Sequence, residues 1–178
     1  MRNGYALPTS TQLGRVYDLL LNAEEPLRVA LMAQLRIGVQ WSTEVTLAEA
    51  GHAVTQAYCS ALPIAYASHA LHRWEPFARL VLDAAYEASL CVAALNAEVS
   101  GNSEVYLTLW GGGVFGNPTT WIRAAIERAV RLFAHSDLRV TIVSHGRDNP
   151  DLRQLFSPPA SLGRCTVRRA ATPVGPSR

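Results

Sequence analysis

The most constraining feature of this sequence is a run of glycines between an apolar segment and an amphipathic one. Residues 105–110 (VYLTLW) form a nearly continuous apolar run, which is typical of a strand buried on both faces of a parallel sheet. The loop GGGVFG follows at residues 111–116, and apolar residues then recur at three- and four-residue steps as far as Phe133. Residues 140–144 form a second apolar run. This order predicts a strand, glycine loop, helix, strand unit with parallel strands and a right-handed crossover.

The glycine loop has two possible uses in such a unit. Glycines reach positive φ and let the main chain approach a ligand, while the loop amides and the N-terminus of the next helix favour an anion. The pattern is neither the dinucleotide fingerprint nor a Walker A loop, because its spacing fits neither and no lysine follows Gly116. A phosphate-binding loop and a tight structural turn therefore both stay open. Asn117 is predicted to be the helix N-cap, with Pro118 as the first helical residue.

Further elements are predicted on either side of this unit. Helices are expected over residues 10–22, 24–35 and 74–97, the last with a broad apolar face. A short strand is expected over residues 37–41. The stretch 44–67 follows neither a period of 2 nor one of 3.6, so no element is predicted there.

The composition is that of a globular protein with one domain. The chain has 178 residues, of which 49% are hydrophobic and 17% charged, which is enough for a sizeable core. We predict one domain over residues 1–156. Residues 157–178 carry scattered prolines and arginines without apolar periodicity, which predicts a flexible tail.

Several classes of partner are disfavoured by the same composition. The net charge of +2 is not gathered into a stripe, so we expect no nucleic-acid partner. No apolar run reaches about 18 residues and the first ten residues lack a secretory pattern, so we expect a cytoplasmic protein with no membrane partner. Three cysteines without paired spacing predict neither a disulfide framework nor a zinc site.

The glycine loop and its flanking segments resemble a known family. The segments LTLWGGGVFGNPTTWIRAAIERAVRLF and LRVTIVSHG resemble the second ligand loop of macrodomains, in which a strand ends in a Gly-x-Gly-x-aromatic-Gly turn and enters a helix. The preceding segment FARLVLDAAYEASLCVAALNAE is similar to the family helix that carries a tyrosine and several alanines. The resemblance covers roughly residues 74–146, and it is stronger to divergent macrodomain-type hydrolases of bacterial effectors than to the compact reader type.

This resemblance implies a fold, a ligand and a set of contacts. The fold would be a three-layer α/β/α macrodomain-like mixed sheet with helices on both faces, and the ligand would be ADP-ribose in a cleft at the strand ends. Phe115 would lie beside the distal ribose. No cofactor is implied. The residues expected to bind the ligand are Gly111, Gly112, Gly113, Val114, Phe115, Gly116, Asn117 and Gln56.

The first ligand loop departs from the family pattern. Gln56 could match the glutamine of the glycohydrolase branch, but Ala57 and Tyr58 stand where that branch has two glutamates. Its catalytic assignment therefore does not transfer. Hydrolysis of an ADP-ribosyl bond still needs a carboxylate to stabilise charge or activate water. Glu44, which follows the predicted strand 37–41, is the first candidate and Glu49 the second, with a solvated surface position as the alternative for each.

Three functions follow from these observations. The first is a macrodomain-like hydrolase that removes ADP-ribose from protein or processes a related derivative. The second is a non-catalytic module that binds ADP-ribose or an ADP-ribosylated protein. The third is a scaffold in which the glycine loop is only a turn. In the first two, valine at Gly112 or Gly113 is expected to crowd the phosphates and to strain a positive φ.

Overall fold

The computed structural model describes residues 4–46 and 51–144 together with the backbone of residues 166–171. Within these ranges the chain forms four α-helices, which are α1 (Ser10–Leu21), α2 (Glu25–Met32), α3 (Leu71–Ser100) and α4 (Thr119–Leu132). The same ranges contain five strands, which are β1 (Gly38–Glu44), β2 (Ala53–Tyr58), β3 (Glu104–Thr108), β4 (Arg139–Ser144) and β5 (Thr166–Ala171). A 3-10 turn covers Ile64–Tyr66.

The strands form two separate sheets. Strands β1 and β2 pair as an antiparallel hairpin, with an irregularity between Gln40 and Thr43. Strands β3, β4 and β5 form a parallel sheet in that order, and Glu104 lies opposite Arg139. Helix α4 connects β3 to β4. The chain is therefore mixed α/β, and the predicted strand, glycine loop, helix, parallel strand unit is confirmed.

Helix α3 lies at the centre of the core. Its side chains Trp74, Leu82, Tyr86 and Leu90 are fully buried. They share one hydrophobic cluster with residues of α4, of the parallel sheet and of the 3-10 turn. Burial of a large apolar side chain contributes about 1.5–3 kcal/mol, so this helix supplies much of the hydrophobic stabilisation. The turn at Ile64–Tyr66 and the glycine loop both contact the hydrophobic cluster to which this helix contributes.

One face of β3 is covered and the other is exposed. Val105 and Leu107 point into the core, whereas Glu104, Tyr106 and Thr108 are exposed, with Tyr106 at 66%. The prediction of a strand buried on both faces is therefore wrong for the described residues. The apolar run was misleading because Tyr106 counts as an apolar residue in the sequence. Its hydroxyl group nevertheless allows the side chain to face solvent.

The helix ends have local causes in the sequence. Helix α1 begins with a capping box, in which the Thr9 hydroxyl accepts from the Gln12 amide at 3.3 Å and the Gln12 side chain accepts from the Thr9 amide at 2.9 Å. The predicted first helix is confirmed. Helix α3 is longer than predicted and ends at Gly101, whose φ of 72° and bond to the Ala97 carbonyl form a left-handed cap. Helix α2 ends three residues early, at Met32.

The stretch without predicted elements contains β2 and the 3-10 turn. Pairing with β2 also extends β1 to Glu44, beyond the predicted strand 37–41. A hairpin strand that is exposed along much of its length needs no clean apolar alternation, since its partner supplies the hydrogen bonds.

Strand β5 lies inside the segment that is predicted to be a flexible tail. Its six residues, Thr166–Ala171, fall inside the segment 157–178 and pair in register with β4, from Arg139 opposite Thr166 to Ser144 opposite Ala171. The sequence lacks apolar periodicity here, but main-chain hydrogen bonding to a neighbouring strand does not depend on that pattern. The remaining residues of the predicted tail lie outside the described part of the chain.

By length and apolar composition alone, α3 could also cross a membrane. Core helices of soluble proteins meet the same criterion, and Trp74, Leu82 and Leu90 are completely buried within this protein. The length and composition of α3 are therefore only weak evidence that it spans a membrane.

Candidate functional site

The glycine loop leaves the carboxyl end of β3 and packs against the segment that contains the 3-10 turn. Two of its glycines have positive φ, Gly111 at 76° and Gly116 at 73°. Gly112 and Gly113 do not, so the expectation of strain at those two positions is wrong. The left-handed residues lie instead at the first and last positions of the loop, where the chain reverses direction.

Close packing also requires glycine at these two ends. A Cβ atom on Gly111 would lie 2.5 Å from Ala61 Cβ and 2.5 Å from Asn117 Nδ2. A Cβ atom on Gly116 would lie 2.9 Å from Ala65 Cβ. A Cβ atom on Gly113 would meet nothing within 4 Å. The ends of the loop are therefore fixed against the chain around Ala61 and Ala65, and its middle is open.

Part of the loop's hydrogen bonding is internal. The amide of Gly112 donates to the Leu109 carbonyl at 3.3 Å, that of Gly116 to the Gly113 carbonyl at 3.0 Å and that of Asn117 to the Gly111 carbonyl at 2.9 Å. These bonds close the turn at both ends.

The central amides of the loop have no hydrogen-bond partner in the described part of the chain. Among the residues that the structure describes, no hydrogen bond is made by the amides of Gly113, Val114 and Phe115. Gly113 and Val114 are exposed, Val114 at 76%. Successive unpaired amides in a tight turn at the entrance to a helix form a concave donor site for an anion.

Asn117 supports the loop from beneath. Its side chain is buried, with 3% of the residue exposed, and Nδ2 donates to the Leu62 carbonyl at 2.8 Å and to the Gly111 carbonyl at 3.4 Å. The N-cap of α4 is Pro118, so the prediction of Asn117 as N-cap is wrong. The amide side chain turns inward because the buried Leu62 carbonyl needs a donor. Its Oδ1 accepts no hydrogen bond from any described residue.

Phe115 is fixed in a group of three aromatic rings. Its ring lies 5.5 Å from that of Tyr66 and 6.0 Å from that of Tyr5, and Tyr5 and Tyr66 are 5.2 Å apart. All three contacts are edge to face, a favourable arrangement of ring quadrupoles. The Ala65 amide donates to the Phe115 carbonyl at 3.0 Å. An aromatic surface that includes partly exposed Tyr5 and Tyr66 therefore adjoins the free amides.

Tyr86 connects α3 to the strand end before the loop. Its hydroxyl donates to the Thr108 carbonyl at 2.8 Å and accepts from the Trp110 amide at 3.0 Å, and its ring stacks on that of Trp110 at 4.3 Å. Burial raises the pKa of Tyr86, so the hydroxyl stays protonated and keeps donating. Sequence reasoning missed this role. The signal was present, since Tyr86 is the one tyrosine of the predicted helix 74–97 and a buried tyrosine needs a polar partner.

The hairpin carries the other residues predicted for the site. Gln56 lies on β2 opposite Gln40, and the Tyr58 hydroxyl, which has one proton to donate, lies within hydrogen-bonding distance of both side-chain amide oxygens. Glu44 is exposed at the end of β1, opposite Ala53. No hydrogen bond or ion pair among the described residues joins Glu44 or Gln56 to the glycine loop. Glu49 lies outside the described residues.

Of the residues predicted for the site, the structure brings together those of the loop, from Gly111 to Asn117. The segment from Ala61 to Tyr66 packs against this loop, and sequence reasoning missed it. That segment had no periodic signal, because its contribution comes from small side chains that admit the loop. Compared with protein-family models, with curated proteins and with solved structures, the chain shows no match.

Proposed function

We propose that this chain is a macrodomain-like protein that binds ADP-ribose, free or attached to protein, with the pyrophosphate at the glycine loop. The observation that carries the proposal is the set of three consecutive amides, those of Gly113, Val114 and Phe115, that bond to no described residue in the loop preceding α4. A pyrophosphate presents several acceptor oxygens and negative charge, and amide donors together with the helix N-terminus complement both.

The aromatic group supports the sugar and base end of the proposed ligand. Tyr5, Tyr66 and Phe115 present apolar ring surface next to the amides, and the two tyrosines add hydroxyl groups. Adenine offers flat apolar faces with polar edges, and ribose offers C–H groups beside its hydroxyls, and aromatic rings contact both well. Phe115 is the ring nearest to the anion site in sequence, and we assign the distal ribose to it.

The proposal includes the macrodomain architecture, with a larger mixed sheet and helices on both faces. The parallel pairing of β3 with β4 and the helix between them are consistent with it. So is the position of the glycine loop at the carboxyl end of β3, since open α/β sheets bind ligands at that edge.

Titration with ADP-ribose tests the binding proposal. At about ten times Kd the ligand should stabilise the protein by about 1.4 kcal/mol, which raises the melting temperature by about 3–6 °C. Gly113→Val should leave the fold intact, because its Cβ meets nothing in the protein, yet weaken binding about tenfold or more by occupying the space over the free amides. Gly14→Val is the matched control in α1, where a Cβ also meets nothing within 4 Å.

Two outcomes would contradict the proposal. If ADP-ribose leaves the melting temperature of the wild type unchanged at millimolar concentration, the glycine loop is a structural turn and the scaffold interpretation is favoured. If Gly113→Val and Gly14→Val bind equally well, the ligand lies elsewhere on the protein.

Hydrolysis of the ADP-ribosyl bond is the second candidate function, and it depends on the exposed carboxylate of Glu44. The test is incubation with mono-ADP-ribosylated protein and measurement of released ADP-ribose. If the chain is a hydrolase of this kind, Glu44→Ala should reduce release by about 100-fold, a common contribution of a general acid or base. Equal release from both proteins removes Glu44 from the mechanism, and absence of release from the wild type leaves the binding function alone.

A further inference from the structure

A cleft of about 480 Å³ separates the hairpin from the parallel sheet. Ala53, Thr55 and Ala57 of β2 form one wall, and residues of β3 around Tyr106 form the other. The floor is α3, at Val92 and Ala93. The cleft is therefore bounded by two strands that lie on the same helix without pairing with each other.

The wall formed by β3 is an open strand edge. The Arg139 amide donates to the Ser103 carbonyl at 2.9 Å, which sets the register with β4. In a parallel ladder alternate residues point their main-chain groups to the same neighbour, so Val105 and Leu107 bond to β4. The amides and carbonyls of Glu104, Tyr106 and Thr108 consequently point to the side on which no described strand pairs with β3.

Side chains cap the two ends of this edge and leave its middle open. The Asn102 side chain accepts from the Glu104 amide at 3.0 Å, and the Tyr86 hydroxyl donates to the Thr108 carbonyl at 2.8 Å. Among the described residues, nothing bonds to the Glu104 carbonyl, to either main-chain group of Tyr106 or to the Thr108 amide. These four groups alternate as acceptor, donor, acceptor and donor, which is the pattern that an extended chain satisfies.

We propose that this edge of β3 binds an extended segment of a partner polypeptide, which adds a strand between β3 and β2. The four open groups select a peptide backbone, since a strand about 4.8 Å away presents matching donors and acceptors. The part of the bound segment that lies in the cleft carries no charged side chains. Its inward side chains face uncharged residues of α3, among them Val92, Ala93 and Asn96, and the acidic group at the rim, Glu104, is already paired with Arg139 at 2.6 Å.

Hydrogen exchange tests the proposal directly on the whole chain. The probe is a capped peptide of about seven alternating threonine and valine residues, which spans β3 at about 3.3 Å per residue. In the free protein the amides of Tyr106 and Thr108 should exchange quickly, whereas those of Val105 and Leu107 should be protected by β4. Saturating peptide should slow the first pair by about tenfold or more and leave the second pair unchanged.

A pair of variants provides a second measurement. Tyr106→Pro removes the donor that points to the open edge without touching the bonds to β4, and proline is tolerated at such edge positions. Tyr106→Ala removes the ring but keeps the amide. The proline variant should bind the peptide about tenfold more weakly than the alanine variant.

Three results would overturn the proposal. The first is protection of the Tyr106 and Thr108 amides in the free, dilute protein, which would mean that the chain itself or a second copy fills the edge. The second is fast exchange of both amides at millimolar peptide. The third is equal affinity of the proline and alanine variants. If Tyr106→Pro fails to fold, the exchange measurement on the wild type decides alone.

Discussion

Gly111→Ala should lower the free energy of unfolding by about 3 kcal/mol. A left-handed φ costs an alanine about 1–2 kcal/mol, and overpacking adds about 1–3 kcal/mol. Both apply, because Gly111 has φ of 76° and the new Cβ would lie 2.5 Å from Ala61 Cβ. The same atom would press on Asn117 Nδ2, which also lies at 2.5 Å. Urea denaturation measures the loss as a lower midpoint at constant slope.

The matched control for this variant is Gly113→Ala, two residues along the same loop. Its φ is not left-handed and its Cβ would meet nothing within 4 Å, so stability should change by less than about 1 kcal/mol. Equal losses from the two variants would contradict the assignment of Gly111 as the clamped end of the loop.

Tyr86→Phe should lower the free energy of unfolding by about 2 kcal/mol. The hydroxyl bonds to the Thr108 carbonyl and to the Trp110 amide, and each such hydrogen bond contributes about 0.5–1.5 kcal/mol to stability. The phenylalanine ring keeps the stacking on Trp110, so the variant isolates the hydrogen bonds. Because the hydroxyl joins α3 to the end of β3, the proposed binding of ADP-ribose at the adjacent loop should weaken as well.

Tyr106→Phe is the control for that loss, since its side chain is 66% exposed and its removal of a hydroxyl should be neutral within about 0.5 kcal/mol. A Tyr86→Phe protein as stable as the wild type would show that water or a neighbouring group replaces the hydroxyl without cost.

The sequence predicted the part of the site that is encoded locally. A glycine run between an apolar segment and an amphipathic one locates a loop at a strand end, and residues 111–116 lie there. The glycine pattern did not indicate which positions need positive φ. That depends on where Ala61 and Ala65 pack, some 50 residues earlier, and contacts across that separation leave no periodicity in the chain.

The remaining differences have similar physical causes. The sequence predicts Asn117 as an N-cap because asparagine is strongly preferred at that position. In the structure its side chain instead donates a hydrogen bond to the distant Leu62 carbonyl. Strands β2 and β5 lacked apolar alternation, since their pairing is satisfied by main-chain bonds. Glu44 was a candidate because it follows a strand, and the structure extends that strand through it.

The glycine loop is closely packed at its two ends and exposed at its centre, and this difference affects the thermodynamics of ligand binding. Gly111 and Gly116 pack so closely against neighbouring atoms that neither position admits a side chain, while Gly112, Gly113 and Val114 between them are exposed. A loop whose two ends are packed in this way loses less conformational entropy when it binds an anion than a loop with free ends. If the proposed site binds a pyrophosphate, association should therefore need little reorganisation of the backbone, and the heat of binding should reflect the replacement of water by phosphate oxygens at the loop amides.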